Sequence, residues 1–208
     1  MRVALFDYGA GNLHSLGKAL EGAGARVTVT PDWDEALALD ALVLPGVGAF
    51  GAAAAALPAD RSRVRKALED GLPCLGICLG MQLLFDHSEE SVGDGIGLIP
   101  GAVRRLETPV VPQMGWNDVE TSPNTSPHAA EDPLFEGVAP LVAYYANSYV
   151  CVPADAGDAV AWSEYQGVRF AAATRRARTW GVQFHPEKSS AAGRRLIANW
   201  VALAGGAP

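Results

Sequence analysis

The chain has 208 residues, of which 49% are hydrophobic, and a formal net charge of -7. A chain of this length can bury roughly 70% of its extended surface, so its core needs neither disulfide nor metal to hold it. The acidic balance argues against nucleic acid or an anionic membrane as the main partner, and no segment approaches transmembrane length.

Residues 3–6 read as an apolar strand that ends in the turn Gly9-Ala10-Gly11. Leu13, Leu16 and Leu20 then fall at helical spacing. Residues 27–30 and 41–44 are the second and third strands, and Pro45-Gly46-Val47-Gly48 closes the third. An alanine-rich helix follows, then another with Val64, Ala67 and Leu68 on one face, stopped at Gly71. Residues 75–77 form a fourth strand and 79–84 open a helix. The second half is richer in strands, at 144–152, 160–164, 168–174 and 179–184, before a last helix over about 190–203 that buries Leu196, Ile197 and Trp200. Residues 122–133, rich in Pro, Ser and Asn, read as an exposed loop. Alternation of helices with continuous apolar strands predicts an α/β fold with a mostly parallel central sheet covered on both faces, and added antiparallel strands in the second half. No linker or repeat divides the chain, so 1–208 reads as one domain.

In such a sheet, ligands sit beyond the carboxyl ends of the strands. The glycine turns after strands one, three and four should therefore open toward one edge. The fourth turn is Gly76-Ile77-Cys78-Leu79-Gly80. Glycine on both sides lets the chain pass sharply from strand into helix, with Cys78 at the apex and the start of a helix favouring thiolate.

A base for this cysteine stands in Gly181-Val182-Gln183-Phe184-His185-Pro186-Glu187. The apolar run ends at His185, so the imidazole should leave the sheet at its rim. Pro186 biases His185 toward an extended conformation, and residues two apart then face the same way. Glu187 is thus placed to orient the ring, giving nucleophile, base and carboxylate. Taken alone, the cysteine turn is often only tight packing and His-Pro-Glu a strand end; the two together favour a cysteine nucleophile. Acyl transfer also needs donors for an oxyanion. The Leu79 N–H is one candidate and the Gly46-Val47-Gly48 loop another, although a plain strand-to-helix connection explains that loop equally well.

Other chemistries find no support. Gly9-Ala10-Gly11 fails the dinucleotide fingerprint because His14 occupies the third glycine position, no P-loop is present, and no metal-ligand spacing links the histidines and cysteines. Neither cofactor nor metal is expected. Three cysteines make no disulfide framework. Cys74 and Cys78, separated by roughly 13 Å along an extended segment, cannot bridge, and Cys74 and Cys151 read as small buried hydrophobes. The first residues are too short and too soon charged for a signal peptide, so the cytoplasm is the expected compartment.

Residues 73–82, Pro-Cys-Leu-Gly-Ile-Cys-Leu-Gly-Met-Gln, with His185-Pro186-Glu187, resemble the class I (triad-type) glutamine amidotransferases over nearly the whole chain. Residues 7–12, 45–50 and 112–117 are similar to the branch that serves as glutaminase subunits of imidazole glycerol phosphate synthase, in histidine biosynthesis. The Gly-Gly-Glu-Ser loop of the pyridoxal-phosphate glutaminases is absent.

The resemblance implies a flavodoxin-like fold and hydrolysis of glutamine by Cys78, His185 and Glu187. It also implies an oxyanion hole at Val47 and Leu79, and substrate contacts at Gly46, Gly48, Gln82, Ser148 and Tyr149. It implies a partner as well: a (β/α)8-barrel cyclase that receives ammonia through an internal passage, since no second catalytic domain remains in 208 residues. The glycines around Val47 make a peptide rotation cheap, which suits an oxyanion loop turned inward by partner and ligand. Gln113 and Asn147 stand where the family commonly has histidine. Three other readings stay open at this level: a glutaminase of the anthranilate or guanylate type, a catalytically silent regulatory subunit, and a cysteine hydrolase on a related scaffold.

Overall fold

The computed structural model describes residues 1–9, 13–46, 48–121 and 132–206. Ala10, Gly11, Asn12, Val47 and most of the predicted 122–133 loop lie outside them. The first half runs β1 (Arg2–Phe6), α1 (Leu13–Gly22), β2 (Arg26–Thr30), α2 (Trp33–Leu37), β3 (Ala41–Leu44), α3 (Phe50–Ala55), α4 (Ser62–Glu69), β4 (Cys74–Ile77) and α5 (Leu79–Gln82). Then come β5 (His87–Ser88), β6 (Ser91–Asp94), β7 (Gly101–Arg105), β8 (Gln113–Val119), β9 (Leu141–Asn147), β10 (Tyr149–Pro153), β11 (Ala159–Tyr165), β12 (Val168–Arg176), β13 (Thr179–Val182) and α6 (Ser190–Gly205).

Seven strands form the main sheet in the order β11-β12-β13-β4-β3-β1-β2. The run from β13 to β2 is parallel, and β11 and β12 add on antiparallel. The expected α/β architecture is therefore observed. β3, β4 and β13 are buried along their whole length because helices cover both faces. Alternation splits β1 between two cores. Val3 and Leu5 join Leu16, Leu20, Leu196, Ile197 and Trp200 under α1 and α6. Ala4 and Phe6 join Phe50, Val64 and Leu68 under α3 and α4. No helix among the described residues is long and apolar enough to cross a membrane.

Three sequence expectations need correction. The predicted strand 144–152 breaks at Ser148 into β9, which pairs with β8, and β10, which joins β7 in a four-stranded sheet with β5 and β6. The helix expected over 79–84 is one turn, α5, so it carries little of a helix macrodipole. The strands β5 to β8 and helix α2 have no counterpart in the sequence reading. β6 reads Ser-Val-Gly-Asp, half exposed and without apolar alternation. α2 is five residues long, too short for a periodic signal, and depends on the Asp32 side chain accepting from the Asp34 and Glu35 N–H groups.

The carboxyl ends of β1, β3, β4 and β13 share one edge, as expected. At β4 the chain turns into α5 through Cys78, whose φ of 48° lies in the region that favours glycine. The turn is also packed against backbone. A Cβ at Gly76 would sit 2.6 Å from the Gly80 carbonyl oxygen, and one at Gly80 would collide with the Leu44 carbonyl on β3. Gly80→Ala should therefore cost about 1–3 kcal/mol, read as a drop of several degrees in the thermal midpoint. An unchanged midpoint would contradict this packing.

Candidate active site

β4 and β13 are parallel neighbours, with Val182 paired to Ile77. The Cys78 N–H donates to the Val182 carbonyl at 2.7 Å. That pairing brings the residue after β4 and the segment after β13 to the same rim. Beyond Val182, His185 is 3% exposed and adopts the extended backbone expected before proline. Its N–H donates to the Tyr144 carbonyl at 2.8 Å. Its carbonyl accepts from the Ser189 hydroxyl at 2.6 Å, and that hydroxyl accepts from the Tyr144 N–H at 2.9 Å. The histidine backbone is thus fastened to β9 on two sides.

His185 Nδ1 lies 2.9 Å from Glu187 Oε1, which leaves Nε2 for the cysteine. Glu187 reaches the ring from a single 3-10 turn, Pro186–Lys188, rather than from the extended segment expected. Burial lowers the affinity of the ring for its second proton, but hydrogen bonds to Cys78 and Glu187 and their charges outweigh it and raise His185 to about 9. Both partners thus favour the ring once it has taken the thiol proton. By contrast, burial alone pushes the Cys74 thiol far up and dominates the same rise at Cys151; both are buried and unbridged, in keeping with a packing role.

Gly46 explains why the loop after β3 needs glycine. A Cβ there would sit 2.7 Å from the Ile77 carbonyl oxygen, 2.9 Å from Cys78 Cβ and 3.1 Å from His185 Cε1. The same contacts show Cys78 and His185 meeting at one point. They open on a cavity of about 340 Å³, which Gly46, Gly48, Leu79, Gln82, Ser148 and Tyr149 also line. α5 begins at Leu79, so the Leu79 N–H has no helical carbonyl to meet. Gln82 donates to the Tyr149 carbonyl at 3.4 Å, which ties α5 to β10. Glu187 supports His185 from behind and does not line the cavity.

The structure adds residues that the sequence did not single out. Glu90 lines the cavity and accepts from the Phe50 N–H at 2.8 Å, fixing the start of α3. In sequence it sits in Ser-Glu-Glu-Ser, which reads as a solvated turn. Lys188 lines the cavity and holds its ammonium 5.6 Å from the Tyr144 ring centroid. Gln183 donates to Cys78 Sγ at 3.6 Å; its position two residues before His185 was the available signal. Gln113 and Asn147, which the resemblance singled out, face each other across β8 and β9. Both are buried, so they form one feature rather than two. Another cavity of about 380 Å³, between β7/β10 and β11/β12, is lined by none of these side chains. Among the described residues no cluster of His, Cys, Asp and Glu is placed to hold a metal ion.

A family model described as glutamine amidotransferase class-I matches residues 4–203. The imidazole glycerol phosphate synthase subunit HisH of Nocardia farcinica is 46% identical over 211 residues, covering 96% of each chain. That of Thermobifida fusca is 42% identical over 214 residues, covering 97% of this chain and 98% of its own. Among solved structures, PurLQS from Thermotoga maritima superposes with a TM-score of 0.74 at 20% identity over 97% of each chain. A second solved structure, of a glutamine amidotransferase, gives 0.73 at 20% identity, over 98% of this chain and 99% of its own. At that identity the likeness to the structures concerns the fold, whereas the sequence matches span almost the full length: the chain belongs to the class-I glutamine amidotransferases, in the branch formed by the HisH subunits of imidazole glycerol phosphate synthase.

Proposed function

We propose that residues 1–208 form one glutaminase domain that hydrolyses glutamine to glutamate and ammonia, and hands the ammonia to a (β/α)8-barrel cyclase, the other subunit of imidazole glycerol phosphate synthase. The observation that carries this reading is the meeting of Cys78 with the His185–Glu187 pair at two adjacent strand ends, in a cavity large enough for an amino acid. His185 takes the thiol proton, and the Cys78 thiolate attacks the side-chain amide carbon of glutamine. The oxyanion is held by the Leu79 N–H and, as the family resemblance implies, by Val47. His185 gives its proton to the departing nitrogen, the C–N bond breaks and ammonia leaves. Water then attacks the γ-glutamyl thioester, with His185 as base, the C–S bond breaks and glutamate is released. Glu187 keeps Nε2 facing the sulfur throughout.

Charge and position support the substrate assignments. Gln82, Ser148 and Tyr149 line the same cavity as Cys78 and His185, and their polar groups suit the amino-acid end of glutamine. Glu90 adds a carboxylate to that lining for the α-ammonium. The partner assignment is supported by the outer face of the β8–β9 ribbon. Met114, Trp116 and Val142 are 67%, 55% and 43% exposed, an apolar patch on a ribbon whose β9 backbone holds His185. A partner docked there would sit against the cavity that releases ammonia, in which the unprotonated molecule needs shelter from water.

Two outcomes follow. Cys78→Ala, assembled with the cyclase, should lose glutamine-dependent synthesis and keep synthesis driven by added ammonium salts. Loss of both would make Cys78 structural, and retention of glutamine-dependent turnover would overturn its role as nucleophile. The second concerns pH. The folded-state value of His185 is raised from 6.5 to about 9. Its contribution to stability is therefore fully present below about pH 6.5 and lost as pH rises through about 9. The thermal midpoint of the native chain should fall across that window. Glu187→Gln, which keeps a hydrogen-bond acceptor but removes the charge, should move the fall to lower pH. Identical pH profiles for the two proteins would contradict the coupling.

A further inference from the structure

Gln183 occupies a place that the triad mechanism leaves unused. The register Val182 to Ile77, continued by one residue, sets Gln183 abreast of Cys78. The 2.7 Å bond from the Cys78 N–H to the Val182 carbonyl fixes that alignment on one side. On the other, the Gln183 N–H donates to the Ala172 carbonyl of β12 at 2.9 Å. The side chain is 0% exposed. Its Nε2 donates to Cys78 Sγ at 3.6 Å. Its Oε1 is buried with no partner among the described residues.

Stability does not explain glutamine at such a position. A buried amide oxygen without a donor costs free energy, and methionine, of nearly the same length, would fill the space without that cost. What glutamine supplies and methionine lacks is an N–H aimed at the sulfur.

We propose that Gln183 is a third group on the reacting sulfur, a neutral donor that stabilises and aims the Cys78 thiolate while His185 carries the proton. The inference rests on the reading of Cys78 as nucleophile. When the thiol proton passes to His185, the freed lone pair on sulfur accepts from Gln183 Nε2, and the bond strengthens because its acceptor is charged. It weakens when that pair forms the C–S bond of the thioester. It returns when the C–S bond breaks and sulfur departs with the electron pair. A carboxamide has no proton to lose near neutral pH, so Gln183 does not compete with His185 as acid or base. Both the attacking and the departing sulfur gain, so the effect belongs to kcat rather than KM. The titratable groups near the sulfur are His185 with Glu187 behind it, Cys151 on β10, and Glu90, Tyr149 and Lys188 along the cavity. All remain when Gln183 is replaced.

Two substitutions of similar size test this. In Gln183→Met the thermal midpoint should stay level or rise, while kcat for glutamine in the assembled synthase falls roughly tenfold with KM little changed. Alkylation of Cys78 by iodoacetamide on the same chain should slow at neutral pH, its pH profile moving upward. Gln183→Glu should be worse in both assays, because a carboxylate repels the thiolate instead of donating to it. A Gln183→Met protein with the native alkylation profile and kcat would overturn the inference. So would one that loses midpoint and activity together, which is the mark of a packing role. The underlying reading fails separately: native chain fully alkylated at Cys78 that still hydrolyses glutamine would remove the nucleophile itself.

Discussion

The pairing of β4 with β13 is the constraint on which the site depends. These two strands lie far apart in sequence, and each alone is a short buried run of four residues. Their parallel register, closed by the Cys78 N–H on the Val182 carbonyl, brings to one rim Cys78, His185 and Gln183, the proposed nucleophile, base and donor to the sulfur. Everything else at the site supports that meeting. β9 holds the His185 backbone through Tyr144 and Ser189, α5 is tied to β10 through Gln82, and Glu90 secures the start of α3. These side chains thus stand on strand ends and short turns of the sheet, and the sheet geometry sets their separation.

Close backbone approach makes this possible and has an energetic consequence. Cys78 holds a positive φ that a side chain normally avoids, a strain of about 1–3 kcal/mol. Gly46 and Gly80 are needed because any side chain would strike the neighbouring turn or strand. The two buried cores, under α1 and α6 on one face and α3 and α4 on the other, supply the stability that holds this turn in place. Gln183 belongs to the same pattern: a buried polar group whose amide oxygen is left without a partner among the described residues, kept where an apolar residue would pack better.

Much of this was legible in the sequence, and the reasons are specific. β1, β3 and β4 are continuous apolar runs bounded by glycine, so their type and order could be read directly. The extended backbone of His185 was readable because proline follows it, and the contact of Glu187 with its ring was expected too, but by an extended segment rather than the 3-10 turn that makes it. Less was legible where local signal is weak. β5 and β6 are short, polar and held by pairing with other strands, so nothing in their own residues marks them. The break at Ser148 was hidden because β9 and β10 are both strand-like, and only tertiary pairing sends them to different sheets. Glu90 resembles any solvated turn residue until the fold brings it against the cavity. Gln113 and Asn147 look like two separate departures, and only the register of β8 on β9 makes them a facing pair. Val47 lies outside the described residues, so its part in the oxyanion hole stays with the proposal.

That the two strand ends bring a cysteine nucleophile to glutamine is the proposal on which the others rest. Its most direct test is to quench the assembled synthase with acid during glutamine turnover and map the peptides by mass spectrometry. A γ-glutamyl adduct is expected on the peptide that contains Cys78, confined to that cysteine and lost on treatment with hydroxylamine. An adduct on Cys74 or Cys151, or steady ammonia release with no acyl-enzyme trapped under any quench, would contradict it.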